Sequence, residues 1–215
     1  MPGVAALLGV LSACATVSTL EGARPLTQRN QLQVAVGYSS GRGVLFDDVG
    51  TPRIDLSYRQ RVSRDADLGL KLLGGTPAVD VRTRFAETGR TTGSFAPGMG
   101  GMYLPTGGFA FFGRTVTARA EVSVWAPLLV DVDVSRRSTL TFAARPIVRS
   151  AYAKVSGAET ESVWTTDLIA AGGVRLAHRT SRIGIGVALD VEARPNRGGV
   201  GAGLLVDVFS VRRPD

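Results

Sequence analysis

The chain has 215 residues, of which 44% are hydrophobic and 27 are glycine, and its formal net charge is +7. This length suits a single β domain. The basic residues alternate with Asp and Glu along the whole chain and are not interleaved with aromatic residues, which argues against a nucleic-acid partner. No run of about 18 apolar residues follows the N-terminal segment, so the sequence predicts no membrane-spanning helix.

The N-terminal segment reads as a targeting signal. Met1 to Ala13 are almost all small and apolar, and they are followed by Cys14, the only cysteine. The stretch Leu11-Ser12-Ala13-Cys14 resembles the lipobox of bacterial lipoprotein signal peptides, in which the cysteine thiol is acylated and becomes the new N-terminus. The resemblance implies that residues 1–13 are removed and that Cys14 is lipidated. Ala15 replaces the aspartate that favours inner-membrane retention in this family, so the implied destination is the outer membrane. The alternative is a free buried cysteine.

The rest of the chain is dominated by residues that alternate in character with period two. Residues 14–30 are polar and show no period, so we predict a periplasmic tether there. Beyond residue 30 the alternation predicts about ten strands, with eight or twelve as alternatives because Pro97 and Pro127 interrupt the middle of the chain. The predicted strands lie at about 31–39, 53–62, 68–72, 79–85, 94–104, 116–132, 140–149, 168–176, 183–194 and 200–211. A longer polar loop is predicted at about 154–162.

The hairpin from Arg182 to Val211 shows the pattern most clearly. One face of its first arm carries only apolar residues, which are Ile183, Ile185, Val187, Leu189, Val191 and Ala193. The opposite face is small or charged, because side chains alternate between the two faces of a strand. Repeated over ten strands, this pattern predicts an all-β fold, a closed antiparallel up-and-down β-barrel that spans a membrane.

The charged face of the predicted strands carries Arg and Lys in near balance with Asp and Glu. Facing lipid, each Arg or Lys would cost roughly 2 to 4 kcal/mol near the bilayer midplane. In a membrane barrel these residues therefore line the lumen and pair there. The predicted charge network comprises Asp55, Arg59, Asp80, Arg82, Arg84, Arg119, Glu121, Asp131, Asp133, Arg145, Arg149, Asp167, Arg175, Asp190, Glu192, Arg194 and Asp207.

A soluble barrel remains open as an alternative, since it would turn its apolar face inward around a hydrophobic ligand. Long strands and the lipobox favour the membrane barrel. Aromatic residues are sparse, and the ones predicted near the two membrane interfaces are Tyr38, Tyr58, Phe85, Tyr103, Phe142 and Phe209. Short turns on one rim and longer loops on the other are typical of outer-membrane barrels, and an even strand number puts both chain ends on the short-turn side.

The arrangement as a whole resembles outer-membrane β-barrel proteins of Gram-negative bacteria that carry a lipoprotein-type signal peptide. The resemblance implies a signal peptide at 1–13, a tether at 14–30, a barrel at 31–211 and a polar tail at 212–215. It also implies localisation to the outer membrane, anchored at Cys14 with the barrel spanning, and it names outer-membrane lipid and the barrel-assembly machinery as partners.

No catalytic or metal-binding constellation stands out. The single histidine, His178, lies in a predicted turn, and one His with one Cys cannot form a zinc site of the usual ligands. The acid pairs Asp131 with Asp133 and Asp190 with Glu192 are better explained as partners of lumen arginines. We therefore predict a protein that is not an enzyme and has no cofactor and no metal. Its expected role is envelope-structural, surface-interacting or that of a narrow pore, and the alternative is a periplasmic lipid-anchored soluble barrel that binds a hydrophobic small molecule.

Overall fold

A computed structural model describes residues 21–40, 51–73, 75–111, 114–156, 160–195 and 200–211. Side chains are described for all of these residues except 39–40, 51–53, 104–119, 153, 155–161 and 163. It contains twelve strand segments: β1 (Asn30–Ser40), β2 (Thr51–Arg61), β3 (Ala66–Leu73), β4 (Thr76–Thr88), β5 (Thr91–Phe95), β6 (Gly98–Phe111), β7 (Arg114–Trp125), β8 (Leu128–Asp133), β9 (Ser138–Ser156), β10 (Thr160–Arg179), β11 (Ile183–Ala193) and β12 (Val200–Ser210). Over the described ranges, no helix is long and apolar enough to cross a membrane.

The segments form one closed antiparallel meander. Each strand pairs with the next along the chain, and β12 pairs with β1 to close the ring. The segments β5 and β6 together form one interrupted strand, which pairs with β4 on one side. The segments β7 and β8 together form the next interrupted strand, which pairs with β5 and β6 on one side and with β9 on the other. The structure is therefore a closed ten-stranded antiparallel barrel, which confirms the predicted fold class.

Prolines cause the two interruptions. Pro97 separates β5 from β6 and Pro127 separates β7 from β8, because proline has no N–H to donate to the ladder. The carbonyls still accept: Val81 N–H donates to Pro97 O at 3.0 Å, and Ala96 N–H donates to Pro127 O at 3.0 Å. The ladder continues across both breaks, so the strand count stays at ten rather than twelve.

The two faces of the wall differ sharply in polarity. Along β11, Val187 points outward and is 47% exposed, whereas its neighbour Ala188 points inward and is 3% exposed. The same alternation exposes large apolar side chains on every part of the wall whose side chains are described, while Asp, Glu and Arg point inward and are buried. This is the opposite of a lipocalin-like carrier, whose interior is apolar. The soluble barrel with an apolar ligand cavity is therefore wrong.

The two rims are built differently. The rim that carries Asn30 and Ser210 has short turns at 62–65, 89–90, 134–137 and 180–182, and we call it the turn rim. At the other rim, β9 continues to Ser156 and β10 begins at Thr160, with Lys154 paired to Ser162. Most of the loop predicted at about 154–162 is thus strand, because a long hairpin can continue its ladder beyond the point where its apolar alternation ends.

The described part of the predicted tether lies inside the barrel. Residues 21–28, which we call the plug segment, run through the lumen from the turn rim, and Glu21, Ala23 and Leu26 are buried there. The segment has no apolar period and could not form a strand of the wall. Its polar groups instead bond to the inward-facing residues, so it fills the lumen rather than extending away from the rim.

Candidate functional site: the lumen charge network and its plug

The centre of the network is the guanidinium of Arg59 on β2. Its Nε donates to a carboxylate oxygen of Glu21 at 2.5 Å, and its two terminal nitrogens donate to Asp67 and Asp80. Arg59 is 2% exposed. A buried arginine that binds three carboxylates uses the fork of donors that a lysine lacks. Arg59 therefore joins the plug segment to two strands of the wall, β3 and β4.

Two further cations complete this group. Lys71 Nζ lies 3.2 Å from Glu21 and 2.5 Å from Asp80, and Arg82 Nη2 lies 2.6 Å from Asp67. Three cations (Arg59, Lys71, Arg82) thus face three carboxylates (Glu21, Asp67, Asp80). Buried charges are tolerated when they are paired and hydrogen-bonded in this way, and removal of one partner leaves an uncompensated charge.

Glu21 is held as a carboxylate. Burial on its own would raise the pKa of this group, but the positive charges of Arg59 and Lys71 outweigh burial and the pKa lies well below its usual range. The Ser57 hydroxyl also donates to Glu21 at 2.7 Å. The plug segment therefore docks through a permanent negative charge at ordinary pH.

Arg24 anchors the plug segment to a second part of the wall. Its guanidinium lies 2.8 Å from Asp133 on β8, and its backbone N–H donates to Asp131 at 2.9 Å. Asp131 also accepts from the Thr141 hydroxyl at 2.7 Å. A negative residue and a positive residue three positions apart thus reach complementary charges on different strands, which fixes the position and direction of the plug segment.

Further pairs line the wall away from the plug. Arg175 binds Asp207 through two nitrogens, at 3.0 and 2.6 Å, and Asp207 also accepts from Gln33 at 2.6 Å. Arg149 lies 3.0 Å from Asp167. The other inward pairs are Arg145 with Asp190 and Arg194 with Glu192. Most of these pairs join different strands, so the network also crosslinks the wall.

Phe209 corrects one prediction. It was expected near a membrane interface, but it points inward and is 4% exposed, with Arg175 5.0 Å above its ring. Asp207 and Phe209 share a phase on β12, so both face the lumen while Val206 and Val208 face outward. The ring packs over Gly184 of β11.

A substitution at Gly184 tests this packing. A Cβ there would overlap the Phe209 ring, so we expect Gly184→Ala to destabilise the barrel by about 1 to 3 kcal/mol through overpacking. Urea unfolding of the protein in lipid vesicles measures the change. Gly172→Ala is the matched control, because its Cβ would come no closer than 3.4 Å to Ala143 O, and its effect should be small. Equal stability of G184A and the wild type would contradict the inward position of Phe209.

The structure places the residues of the predicted network as follows. Fourteen are buried inward: Asp55, Arg59, Asp80, Arg82, Glu121, Asp131, Arg145, Arg149, Asp167, Arg175, Asp190, Glu192, Arg194 and Asp207. Asp133 is partly exposed, and Arg84 lies outside the lumen group because it pairs with Asp65 and Glu87 at the turn rim. The side chain of Arg119 and the residue Cys14 lie outside the described part of the chain.

Three central members were not predicted to face the lumen. Asp67 shares the inward phase of β3 with Lys71, which alternation already puts on the charged face, so the same signal could have placed Asp67 inward. Glu21 and Arg24 had no such signal, because they come from a segment without period. The lumen also holds an unpredicted apolar cluster of Leu73, Trp125, Ile147, Ile169 and Ala171, all buried. This cluster and the plug segment therefore both occupy the lumen.

Catalytic chemistry has little support in the described residues. The hydroxyl of Ser138 lies 3.0 Å from His178 Nδ1, but both residues sit at strand ends on the turn rim and the contact is exposed. Within the described ranges, no group of three His, Cys, Asp or Glu side chains is arranged to hold a metal ion. The arrangement is suited to holding charges in place rather than to activating a nucleophile.

Comparison with known proteins gives similarity in structure only. No protein-family model matches the chain, and no curated protein matches its sequence. Neisserial surface protein A aligns over 85% of this chain and 97% of its own, with 10% identity and a TM-score of 0.45. The outer membrane protease OmpT of Escherichia coli aligns over 91% of this chain and 98% of its own, with 7% identity and a TM-score of 0.45. The translocator domain of the autotransporter NalP from Neisseria meningitidis covers 98% of both chains, with 10% identity and a TM-score of 0.43. None of these similarities assigns an activity to this chain.

Proposed function

We propose that this protein is a noncatalytic outer-membrane β-barrel lipoprotein whose lumen is closed by its own N-terminal segment, and that it acts in envelope structure or surface interaction. The observation that carries the proposal is the inverted polarity of the barrel. Its outer face is apolar and its interior is a paired charge network, which is the arrangement of a protein whose surrounding solvent is lipid.

The size of the apolar surface supports a membrane. Soluble monomers rarely expose contiguous apolar patches above a few hundred Å², whereas here rows of exposed Leu, Ile, Val and aromatic side chains follow neighbouring strands around the wall. On β11 the row runs over eight residue steps from Ile183 to Val191. At a strand tilt of about 40° this corresponds to a height of roughly 20 Å, close to the apolar band of about 25 Å in outer-membrane barrels.

Aromatic residues mark one edge of this band. Tyr103, Ala120, Tyr152 and Trp164 are register neighbours on four adjacent strands. Tyr103 is 65% exposed and Trp164 is 73% exposed, and the rings of Tyr152 and Trp164 are 4.8 Å apart. Amphipathic rings at one level fit the interface between the hydrocarbon and the head groups. This row lies toward the rim opposite the turn rim. The short turns of the turn rim favour a periplasmic position for that rim.

Heat-modifiability is the first test of the membrane assignment. The purified outer-membrane fraction is run on a denaturing gel with and without boiling. We expect the unboiled protein to migrate as a compact band that shifts on heating, because a closed barrel resists detergent until it is heated. The absence of a shift, together with solubility in aqueous buffer without detergent, would overturn the proposal.

The closed lumen gives a second expected result. Glu21→Gln removes the negative charge that holds the plug segment against Arg59 and Lys71. Hydrogen bonds to charged groups contribute about 1.5 to 3 kcal/mol each, so plug docking should weaken by at least about tenfold. We expect planar-bilayer recordings to show little conductance for the wild type and frequent openings for E21Q.

Glu87→Gln is the control for this recording. Glu87 also pairs with an arginine, Arg84, but it lies at the exposed rim and touches no plug residue. E87Q should be as silent as the wild type. If E21Q is equally silent, the plug segment does not control the lumen. Large openings of the wild type would instead favour the narrow-pore role.

Lipid anchoring at Cys14 is part of the proposal and is compatible with the plug. Glu21 contacts Ser57, four residues from the end of β2, which is about 13 Å along the strand from the turn rim. The seven residue steps from Cys14 to Glu21 can span at most about 25 Å. Metabolic labelling with a palmitate analogue should mark the wild type and not Cys14→Ser. Equal labelling of both proteins, or of neither, would contradict the anchor.

A further inference from the structure

Several exposed arginines lie on the turn rim. Arg64, Arg90, Arg136, Arg137 and Arg182 are all exposed there. Among the described residues of this rim, Asp65 and Glu87 are paired with Arg84, and Asp133 is paired with Arg24. The turn rim therefore presents an excess of positive charge immediately beyond the apolar wall.

Two neighbouring turns shape part of this charge into a cleft. Arg136 and Arg137 come from the turn between β8 and β9, and Arg179, Thr180 and Ser181 come from the end of β10 and the turn that follows. These five residues line a cleft of about 600 Å³, and no acidic side chain is among its lining residues. The guanidinium groups of Arg136 and Arg137 are exposed, and they are donors of the kind that proteins use to bind phosphate oxygens.

The backbone holds this cleft in shape. The Arg179 N–H donates to Arg137 O at 2.8 Å and joins the two turns. The Ser135 hydroxyl accepts from the backbone N–H of Arg137 at 3.2 Å and of Ser138 at 3.0 Å. The arginines thus extend from ordered turns, which lowers the entropy lost when they bind a ligand.

The side chain of Arg179 lies on the lumen side of the cleft. Its guanidinium is near the lumen residues Asp131, Asp133 and Arg175, and it also lines the cavity beside the plug segment. The exposed donors of the cleft are therefore those of Arg136 and Arg137.

We propose that this cleft binds the phosphate of an anionic phospholipid in the adjoining leaflet. Apolar side chains flank it: Val134 is 58% exposed beside Ser135 and Arg136, and Ile183 is 48% exposed beside Arg182. Below them on the outer wall lie Leu140 and Leu176. An arginine group that lies directly above apolar side chains fits a head group whose acyl chains run down the wall, and a free anion would gain nothing from those apolar contacts. The inference rests on the membrane assignment proposed above.

Native mass spectrometry of the full-length protein in detergent tests the site. Only protein that shows the heat-dependent gel shift is used, so that a failure of the membrane assignment is recognised before lipid is added. We expect the wild type to retain one phosphatidylglycerol molecule at concentrations where phosphatidylcholine is lost. Arg136→Gln with Arg137→Gln should weaken this retention by about 10- to 30-fold. The corresponding lysine variants should retain most of it.

Arg64→Gln with Arg90→Gln is the matched control, because it removes the same charge from the same rim outside the cleft. It should bind phosphatidylglycerol like the wild type. An equal loss in both double variants would overturn the cleft in favour of diffuse charge attraction. Displacement of the lipid by glycerol phosphate at comparable concentration would also overturn the lipid assignment, since it would show a site for soluble phosphate anions. If R136Q/R137Q does not fold, the single Arg136→Gln serves instead and should reduce retention about fivefold.

Discussion

Replacing Arg59 by glutamine is expected to lower the free energy of unfolding by about 3 to 5 kcal/mol, the cost of breaking a buried ion pair from one side. Arg59 is 2% exposed and binds Glu21, Asp67 and Asp80. Without it, two cations would face three buried carboxylates. Neutral glutamine is too short to reach all three. Urea unfolding of the barrel in lipid vesicles, followed by tryptophan fluorescence, gives the measurement.

Arg61→Gln is the matched control for this experiment. Arg61 lies two positions further along the same strand, but it is exposed and donates only to the carbonyls of Ser63 and Thr27. Surface substitutions of this kind usually change stability by less than about 0.5 kcal/mol. Arg59→Lys should fall between the two, because lysine keeps the charge and loses the fork of donors. If R59Q proves as stable as R61Q, the lumen network does not stabilise the barrel.

A double variant separates charge balance from lost packing. In Arg59→Gln with Glu21→Gln the central group regains neutrality, with two cations and two carboxylates. Neighbouring substitutions are not additive, and we expect the double variant to be less destabilised than the sum of the two single variants. Purely additive losses would indicate that packing rather than charge pairing is the main contribution.

The wall could be predicted from sequence because its signal is periodic. Alternation along a stretch such as Ile183 to Val191 determines which side chains share a face of the strand. Because one side of the wall contacts lipid, only the register that turns the apolar face outward is favourable. The same rule correctly places Asp207 inward. It also places Phe209 inward, two residues further on, and the expectation of an interfacial Phe209 came from composition rather than from phase.

The plug segment could not be predicted because it carries no such signal. Glu21 and Arg24 lie in a short polar segment. The sequence of such a segment has the same character whether the segment lies in solvent or inside a polar lumen. What distinguishes the two is three-dimensional: the partners of the segment are Arg59 and Lys71 on β2 and β3, and Asp131 and Asp133 on β8, which lie far apart in sequence. The number of strands could be predicted from sequence, because Pro97 and Pro127 each interrupt a strand without reversing the direction of the chain.

The outward face of the wall gives the other large expected effect. Val187 lies at the middle of β11 and points away from the lumen with 47% of its surface exposed. Val187→Arg would place a guanidinium near the bilayer midplane, where the cost is about 2 to 4 kcal/mol. We expect that loss in reversible unfolding from lipid vesicles, with the same inward-facing network present in both proteins.

Ile183→Arg provides the control, because Ile183 is just as exposed, at 48%, but begins the strand at the turn rim. The cost of a charge on the lipid face falls to about 0 to 1 kcal/mol near the interface. A membrane barrel therefore predicts a gradient between the two variants, with V187R destabilised by at least about 1 kcal/mol more than I183R. In water the two arginines would be equally well solvated, so equal and small effects would show that the apolar wall does not face lipid.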